Sequence, residues 1–206
     1  MLKLGFLASH NGSNMQAVVH AINSGKLQAA PRIVISNNRH SGALRFAEAE
    51  DMPWRCLNGR THPDLDALDR TILAALKTHD VNLVLLVGYM KLLGPRTVAE
   101  YRGRILNIHP ALLPRYGGKG MYGIRVHQAV LAGKAKQTGV TIHLADEEYD
   151  HGDIIAQCTV PVKPGDTLET LATRVLQREH CFLVETLQNI VDGRIMLPTP
   201  QFREMD

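Results

Sequence analysis

The sequence predicts an α/β fold in which helices cover both faces of a mostly parallel central sheet. Three observations indicate it. Short apolar runs alternate with longer segments whose apolar residues recur at helical spacing, which is typical of βαβ units. The 206 residues suffice for one substantial core and are somewhat few for two. The hydrophobic share of 45% and the charged share of 21% are ordinary for a globular domain.

Each predicted strand is an apolar or alternating run bounded by turn residues. The run at 81–87 is the most apolar, so we expect it in the middle of the sheet. The last two runs flank an acidic turn, and we expect them to pair as a hairpin-like extension. In order, the predicted strands cover residues 2–8, 32–36, 54–57, 81–87, 105–109, 139–145 and 154–162.

The predicted helices lie between these strands and after the last of them. Apolar residues from Met15 to Ile22 recur on one face of the first helix. The last helix, at 166–189, has Asp166 and Glu169 at the spacing of a capping box. The others cover 41–50, 63–77, a segment starting at 95, and 125–132. This alternation predicts a Rossmann-like sheet with right-handed crossovers, built as a single domain over 1–206.

Composition excludes several classes of function. The net charge of +3, without a run of Lys or Arg, argues against a nucleic-acid partner. No apolar run approaches the ~20 residues that a membrane span needs. Cys56, Cys158 and Cys181 are odd in number and widely spaced, which favours a reducing cytoplasm over a disulfide framework. Five histidines lie in the second half, but none stands in a metal-binding motif, so we expect no metal.

The stretch 105–120, I-L-N-I-H-P-A-L-L-P-R-Y-G-G-K-G, carries the strongest sign of a site. Side chains alternate along a strand, so Asn107 and His109 project to one side. Pro110 lacks an N–H and ends the strand there. Open α/β sheets bind ligands beyond the carboxyl ends of their strands, although an isolated polar residue there is often only a turn former.

Two further loops follow predicted strands. In S-H-N-G-S-N, the segment Gly12, Ser13 and Asn14 precedes a helix, so its backbone N–H groups would suit a phosphate. Side-chain capping by Ser13 or Asn14 is an equally open interpretation. After the strand at 81–87, a segment of apolar residues with one cation would line a pocket for a flat, acidic ligand, or form only a hydrophobic elbow. Its members are Met90, Lys91, Leu92 and Leu93.

Asp150, in the acidic turn at 146–153, is the candidate partner of His109. A nearby carboxylate favours the charged imidazole, so we expect it to raise the pKa of His109 toward neutral pH. The amide of Asn107 and the imidazolium could then hydrogen-bond an oxygen that becomes negative, as acyl transfer to an amine requires. The alternative is that the acidic turn is only a solvated loop.

The segment 107–120, N-I-H-P-A-L-L-P-R-Y-G-G-K-G, resembles the signature of the formyltetrahydrofolate-dependent formyltransferases. The resemblance extends from S-H-N-G-S-N to R-E-H in the last helix. It implies direct attack by the amine of phosphoribosylglycinamide on the formyl group of 10-formyltetrahydrofolate, a step of de novo purine biosynthesis. The folate is a co-substrate, and no metal takes part. The implied partners are small molecules, with no nucleic acid or membrane, and the chain is a monomer or homodimer.

The resemblance also assigns roles. It implies that Asn107, His109 and Asp150 form the catalytic trio, with Asp150 keeping His109 protonated. Glu179 contacts the ribonucleotide, whose phosphate lies on Gly12, Ser13 and Asn14. The implied folate pocket consists of Met90, Lys91, Leu92, Leu93 and Asn107, with residues 140–146 completing its wall. The first half, about 1–100, would then bind phosphate, and the second, about 101–206, would hold the folate and the catalytic groups.

Three departures and two rival functions remain. His10 stands where the better-known members of the family carry a smaller residue, and Lys91 stands where many carry an arginine. The loop at 117–123 is longer than in the shorter members and is glycine-rich, as a flexible flap over the ribonucleotide would be. A formyltetrahydrofolate hydrolase would share the trio but pass the formyl group to water. A non-catalytic nucleotide-binding module of Rossmann type would need the phosphate loop without the trio.

Overall fold

The computed structural model describes residues 1–198. In chain order, the strands are β1 (Leu2–Leu7), β2 (Ala29–Ser36), β3 (Trp54–Cys56), β4 (Leu83–Leu86), β5 (Ile105–His109), β6 (Gln137–Leu144) and β7 (Ile154–Pro161). The helices are α1 (Ser13–Asn23), α2 (Gly42–Ala49), α3 (Leu65–Thr78), α4 (Pro95–Glu100), α5 (Ile124–Ala132) and α6 (Leu168–Val191). The sequence also predicts a short, proline-containing tail from 194, and its part at 199–206 lies outside the described residues.

The seven strands form one sheet in the order β3-β2-β1-β4-β5-β6-β7. The five strands from β3 to β5 in that order run parallel, whereas β6 is antiparallel to both β5 and β7. The predicted fold class is therefore confirmed, including the hairpin-like extension. β4, the most apolar strand, is buried along its whole length in the middle of the sheet.

The core has two parts, one on each face of the sheet. One face is covered by α1, α2, α5 and α6, which contribute buried residues such as Met15, Leu44, Val130 and Leu183. The other is covered by α3 and α4, from which Ile72, Leu76 and Val98 are buried. Since β1, β4 and β5 are neighbours and run parallel, the segments that follow them meet at one edge of the sheet.

The structure excludes one of two open interpretations at the start of α1 and corrects the predicted start of α6. Gly12 is the N-cap of α1 and no side chain caps the helix, so Ser13 and Asn14 do not act as caps. In α6 the capping box consists of Thr167 and Thr170 rather than Asp166 and Glu169, because the helix begins after Thr167. Asp166 instead binds Arg174, with 2.6 Å between its Oδ1 and Nη2.

Candidate active site

A cavity of about 910 Å³ opens at the edge of the sheet where β1, β4 and β5 end. Both predicted halves of the chain border it, and the division into a phosphate half and a folate half stays a prediction. Apart from part of the predicted wall at 140–146, all the site residues that the sequence singled out border this cavity: Gly12, Ser13, Asn14, Met90, Lys91, Leu92, Leu93, Asn107, His109, Asp150 and Glu179. Residues that follow β1, β4 and β6 and residues at the end of β5 therefore border the same cavity as a residue of α6.

The structure brings Asn107, His109 and Asp150 together at the tip of β5. The Nδ1 atom of His109 lies 3.5 Å from Oδ2 of Asp150. The amide Nδ2 of Asn107 donates to the other carboxylate oxygen, Oδ1, over 3.3 Å. The side chain of Asp150 is only 10% exposed, so the acidic turn is not a fully solvated loop. One carboxylate thus contacts both the amide and the imidazole.

The imidazole of His109 is oriented by the backbone. Its Nε2 lies 2.8 Å from the carbonyl oxygen of Tyr116. Because a carbonyl oxygen can only accept, Nε2 carries a hydrogen and donates it. Burial lowers the pKa of His109 below its ordinary value, and the charge of Asp150 and the hydrogen bond to Tyr116 only partly oppose this effect. The expectation that Asp150 raises the pKa above that value was therefore wrong in its net direction, because desolvation is the larger effect.

Asp150 itself is held in its ionised form. Burial opposes ionisation, but the neighbouring His143 and His109 and the backbone N–H of Gly118 outweigh it, so the pKa of Asp150 lies below its ordinary value. The N–H of Gly118 donates to Oδ2 over 2.9 Å. The glycine-rich loop at 117–123 is thus tied directly to the carboxylate.

The backbone of the acidic turn delivers Asp150 inward. Asp150 adopts a left-handed conformation with φ of 55°, which Asp tolerates better than most residues. Two residues later, a Cβ at Gly152 would lie 2.1 Å from the carbonyl oxygen of Leu144. Only glycine allows the turn to pack this closely against the end of β6, and the turn is closed by a bond from the N–H of Leu144 to the carbonyl of Asp153 over 2.9 Å.

His143 lies within the predicted wall at 140–146, but no role beside the catalytic trio was predicted for it. It is 1% exposed and lies opposite Asn107 in the antiparallel pairing of β5 and β6. Its Nε2 is 2.9 Å from Nδ2 of Asn107, and its Nδ1 is 2.7 Å from the carbonyl oxygen of Leu144. Alternation along β6 places His143 and Thr141 on one face, but the register that places His143 against Asn107 follows only from the assembled sheet.

The N-terminus of α1 forms another end of the cavity. Gly12 has φ of 67°, and a Cβ there would lie 2.8 Å from Cβ of Ala43, the second residue of α2. The N–H of Ala43 donates to the carbonyl of His10 over 3.1 Å and fixes the loop. The first N–H groups of a helix have no partner within it, so those of Ser13 and Asn14 suit an anion.

Glu179 of α6 lies beside this helix start. The amide of Asn14 contacts Oε1 of Glu179 over 3.5 Å, and both side chains are 8% exposed. Burial raises the pKa of Glu179 to about 8, against the opposing hydrogen bond from Asn14. A carboxyl group that is protonated near neutral pH can both donate to and accept from neighbouring hydroxyl groups.

The segment Met90–Leu93 borders the cavity beyond β4. The N–H of Met90 donates to the hydroxyl of Ser9 over 2.8 Å, which links this segment to the loop after β1. Of the predicted wall at 140–146, only His143, Ala145 and Asp146 border the cavity. Val140 and Ile142 belong to the core instead, because alternate residues of β6 face opposite sides of the sheet.

The described residues carry two further findings on partners. In 1–198, no group of three or more His, Cys, Asp and Glu side chains is arranged to hold a metal ion. Within the same range, none of the helices combines the length and the apolar character that crossing a membrane requires.

Comparison with known proteins decides the family. The formyl transferase family profile matches residues 2–187. The chain belongs to the formyl transferase family. It is 40% identical over 194 residues to the chloroplastic phosphoribosylglycinamide formyltransferase of Arabidopsis thaliana, and 32% identical over 191 residues to the phosphoribosylglycinamide formyltransferase of Escherichia coli K12. These alignments cover 94% and 93% of this chain, with 66% of the plant protein and 88% of the bacterial one.

Solved structures support the same family. Glycinamide ribonucleotide transformylase 1 from Symbiobacterium toebii superposes with a TM-score of 0.88 at 31% identity, over 96% of this chain and 91% of that one. The resemblance that the segment at 107–120 predicted is therefore confirmed at the level of the formyl transferase family. In this formyl transferase, the segment forms the tip of β5 and the loop that closes around Asp150.

Proposed function

We propose that this formyl transferase moves the formyl group of 10-formyltetrahydrofolate to the amine of phosphoribosylglycinamide. The names of the relatives support these two substrates. The observation that carries the proposal is the contact of one ionised, nearly buried carboxylate with both an amide and an imidazole in a cavity that also contains a free helix N-terminus. The carboxylate, amide and imidazole suit acyl transfer, and the helix N-terminus suits a phosphorylated acceptor.

The binding roles follow from what each part of the cavity offers. The N–H groups at the start of α1 would bind the phosphate, and Glu179 would contact sugar hydroxyls. The segment Met90–Leu93 supplies apolar side chains and one cation, Lys91. This combination suits a flat co-substrate that ends in carboxylates. The binding of both molecules in one enclosure would bring the amine to the formyl carbon, which removes most of the entropic barrier to a reaction between two solutes.

The chemical step then proceeds by direct attack. The amine nitrogen bonds to the formyl carbon, and the carbonyl electron pair moves onto the oxygen, which becomes negative in the tetrahedral intermediate. An N–H of Asn107 would donate to that oxygen. Collapse of the intermediate re-forms the carbonyl, breaks the bond between the formyl carbon and N10, and leaves that nitrogen in need of a proton.

His109 would accept and return this proton, and Asp150 would stabilise the charged ring. With Nε2–H bound to the carbonyl of Tyr116, Nδ1 is the ring nitrogen of His109 that lacks a hydrogen in the neutral form. It can take the proton that the amine loses and later return it to N10. Asp150 lies 3.5 Å from this nitrogen, so the imidazolium forms beside a negative charge and adds a positive charge near the developing oxyanion.

The test is a formyl-transfer assay with phosphoribosylglycinamide and 10-formyltetrahydrofolate, run with and without the amine acceptor. We expect formylated product only when both substrates are present. Release of formate at the same rate without the acceptor would instead establish the hydrolase. Binding of both molecules without any product would establish a non-catalytic module, and either result would overturn the proposal.

The proposal also covers the compartment and the partners. A cytoplasmic enzyme in a reducing environment is supported by the free thiols of Cys56, Cys158 and Cys181. We propose small molecules as its ligands, and a monomer or homodimer as its assembly.

A further inference from the structure

His143 is the one buried histidine of β6, and its two ring nitrogens are both occupied. Its Nδ1 lies 2.7 Å from the carbonyl oxygen of Leu144 and therefore carries a hydrogen that it donates. In the neutral tautomer this leaves Nε2 as an acceptor. Nε2 lies 2.9 Å from the amide nitrogen of Asn107 and 3.5 Å from Oδ1 of Asp150. Because the amide is the nearer group and carries hydrogens, the neutral ring accepts one of the two amide hydrogens.

The second amide hydrogen of Asn107 has a weaker partner. It faces Oδ1 of Asp150 over 3.3 Å, at the wall of the cavity. The same carboxylate also accepts from the N–H of Gly118 and faces His109. An oxygen that becomes negative in the cavity can compete for this hydrogen more easily than for the one that His143 accepts over the shorter distance.

An asparagine amide presents either a donor or an acceptor, depending on a rotation by 180° about its last side-chain bond. If Asn107 were rotated, its carbonyl oxygen would face the carboxylate of Asp150 and the developing oxyanion, which is repulsive. His143 prevents this because its acceptor nitrogen would then face the amide oxygen at the same distance. The backbone bond to Leu144 fixes the ring in the tautomer that makes this selection.

We propose that His143 is a positioning residue that fixes the amide of Asn107 in the orientation in which it donates to the reacting formyl oxygen. The inference rests on the proposed function for its catalytic consequence. It assigns a role in turnover to a side chain that need not touch either substrate.

A matched pair of substitutions separates this role from packing. In His143→Gln the longer side chain can place its amide oxygen where Nε2 was and accept from Asn107, but it loses the bond to Leu144. In His143→Asn the shorter side chain can keep the donor to Leu144 but cannot reach Asn107. Thr138→Val is the control for β6, because the hydroxyl of Thr138 is buried without a partner.

We expect His143→Asn to lower kcat by about a hundredfold, the typical effect of losing an oriented oxyanion donor, and to change KM for either substrate by less than about threefold. His143→Gln should recover kcat to within about tenfold of the parent, and Thr138→Val should match the parent. In an Asn107→Ala background, adding His143→Asn should lower kcat by less than about threefold, because the amide that His143 orients is already absent.

The opposite results would overturn the proposal. If the loss from His143→Asn is as large in the Asn107→Ala background as in the parent, then His143 acts independently of Asn107. If His143→Gln is folded, as its thermal unfolding would report, and is as slow as His143→Asn, then the acceptor is not what matters.

A nitrogen NMR measurement on the unmodified protein tests the same claim without turnover. We expect the ring shifts of His143 to show hydrogen on Nδ1 and none on Nε2, with a scalar coupling across the hydrogen bond to Nδ2 of Asn107. A protonated Nε2, or no coupling, would contradict the inference. If the protein shows this coupling but no formyl transfer, then the proposed function fails while the orientation of Asn107 stands.

Discussion

The two ends of the cavity use different chemistry at the same edge of the sheet. At the end of β1, the groups proposed to bind are backbone N–H groups of a helix start, which Gly12 allows by adopting a positive φ. At the end of β5, they are side chains that depend on one another through hydrogen bonds and charge, with Asp150 in the centre. Activity should therefore be sensitive to changes of the backbone at the first end and to changes of single side-chain atoms at the second.

The largest effect is expected from such a change at the β5 end. Asp150→Asn keeps the shape but removes the charge that faces His109, so we expect kcat to fall by about a hundredfold or more. Because the negative charge raises the pKa of His109 against its burial, its removal should lower that pKa further, which a proton NMR titration of the ring would detect. Asp153→Asn, an exposed position in the same turn, should leave both quantities unchanged.

If Asp150→Asn turned over as fast as the parent, the carboxylate would not serve the chemistry. The contrast between the two ends would then be wrong at its central residue.

A backbone change should affect the β1 end differently. In Gly12→Ala the new Cβ would approach Cβ of Ala43 within 2.8 Å at a φ of 67°, so the helix start must shift. We expect KM for the ribonucleotide to rise by about tenfold or more, with kcat within about threefold, as steady-state kinetics would show.

The control is Gly25→Ala, which has φ of 75° and no atom within 4 Å of the new Cβ. It should reproduce the cost of backbone strain, about 1 kcal/mol in the free energy of unfolding, without any change in KM. An unchanged KM in Gly12→Ala as well would mean that the phosphate lies elsewhere.

A third effect, on stability and not on turnover, is expected at Glu179. Burial raises its pKa from the ordinary value of 4.5 to about 8. Between pH 4.5 and pH 8, therefore, the carboxyl group is protonated in the folded protein and ionised in the unfolded chain. Stability therefore falls as pH rises through this range. Glu179→Gln stays neutral, so it should gain on the order of 1–3 kcal/mol relative to the parent between pH 5 and pH 8.

Chemical denaturation at the two pH values would measure this difference. Glu185→Gln is the control: Arg178 holds the pKa of Glu185 below its ordinary value, so this carboxyl is ionised in both the folded and the unfolded chain between pH 5 and pH 8, and the difference from the parent should not change with pH there. A difference for Glu179→Gln that does not change with pH would contradict the raised pKa.

Local patterns were enough to predict much of the fold and the site. Alternation in β5 placed Asn107 and His109 on one side, and the break at Pro110 placed them at a strand end. The helix after the loop at Gly12 likewise followed from its own apolar period. These features depend on a few consecutive residues, which the sequence displays directly.

The remaining features depend on residues far apart in the chain. His143 meets Asn107 through the register of an antiparallel pair, and the inward turn of Asp150 depends on the approach of Gly152 to Leu144. The net direction of the pKa of His109 needs its degree of burial, which only the assembled cavity sets. Neither register nor burial can be read from a local pattern.

The most direct test of the central claim is the single-turnover rate of formyl transfer in Asn107→Ala and His109→Ala, with binding of both substrates measured in parallel. We expect each variant to lose at least about a hundredfold in rate while the ribonucleotide binds within about threefold of the parent. A rate that remains near that of the parent in either variant would contradict the claim that these side chains act on the reacting carbonyl.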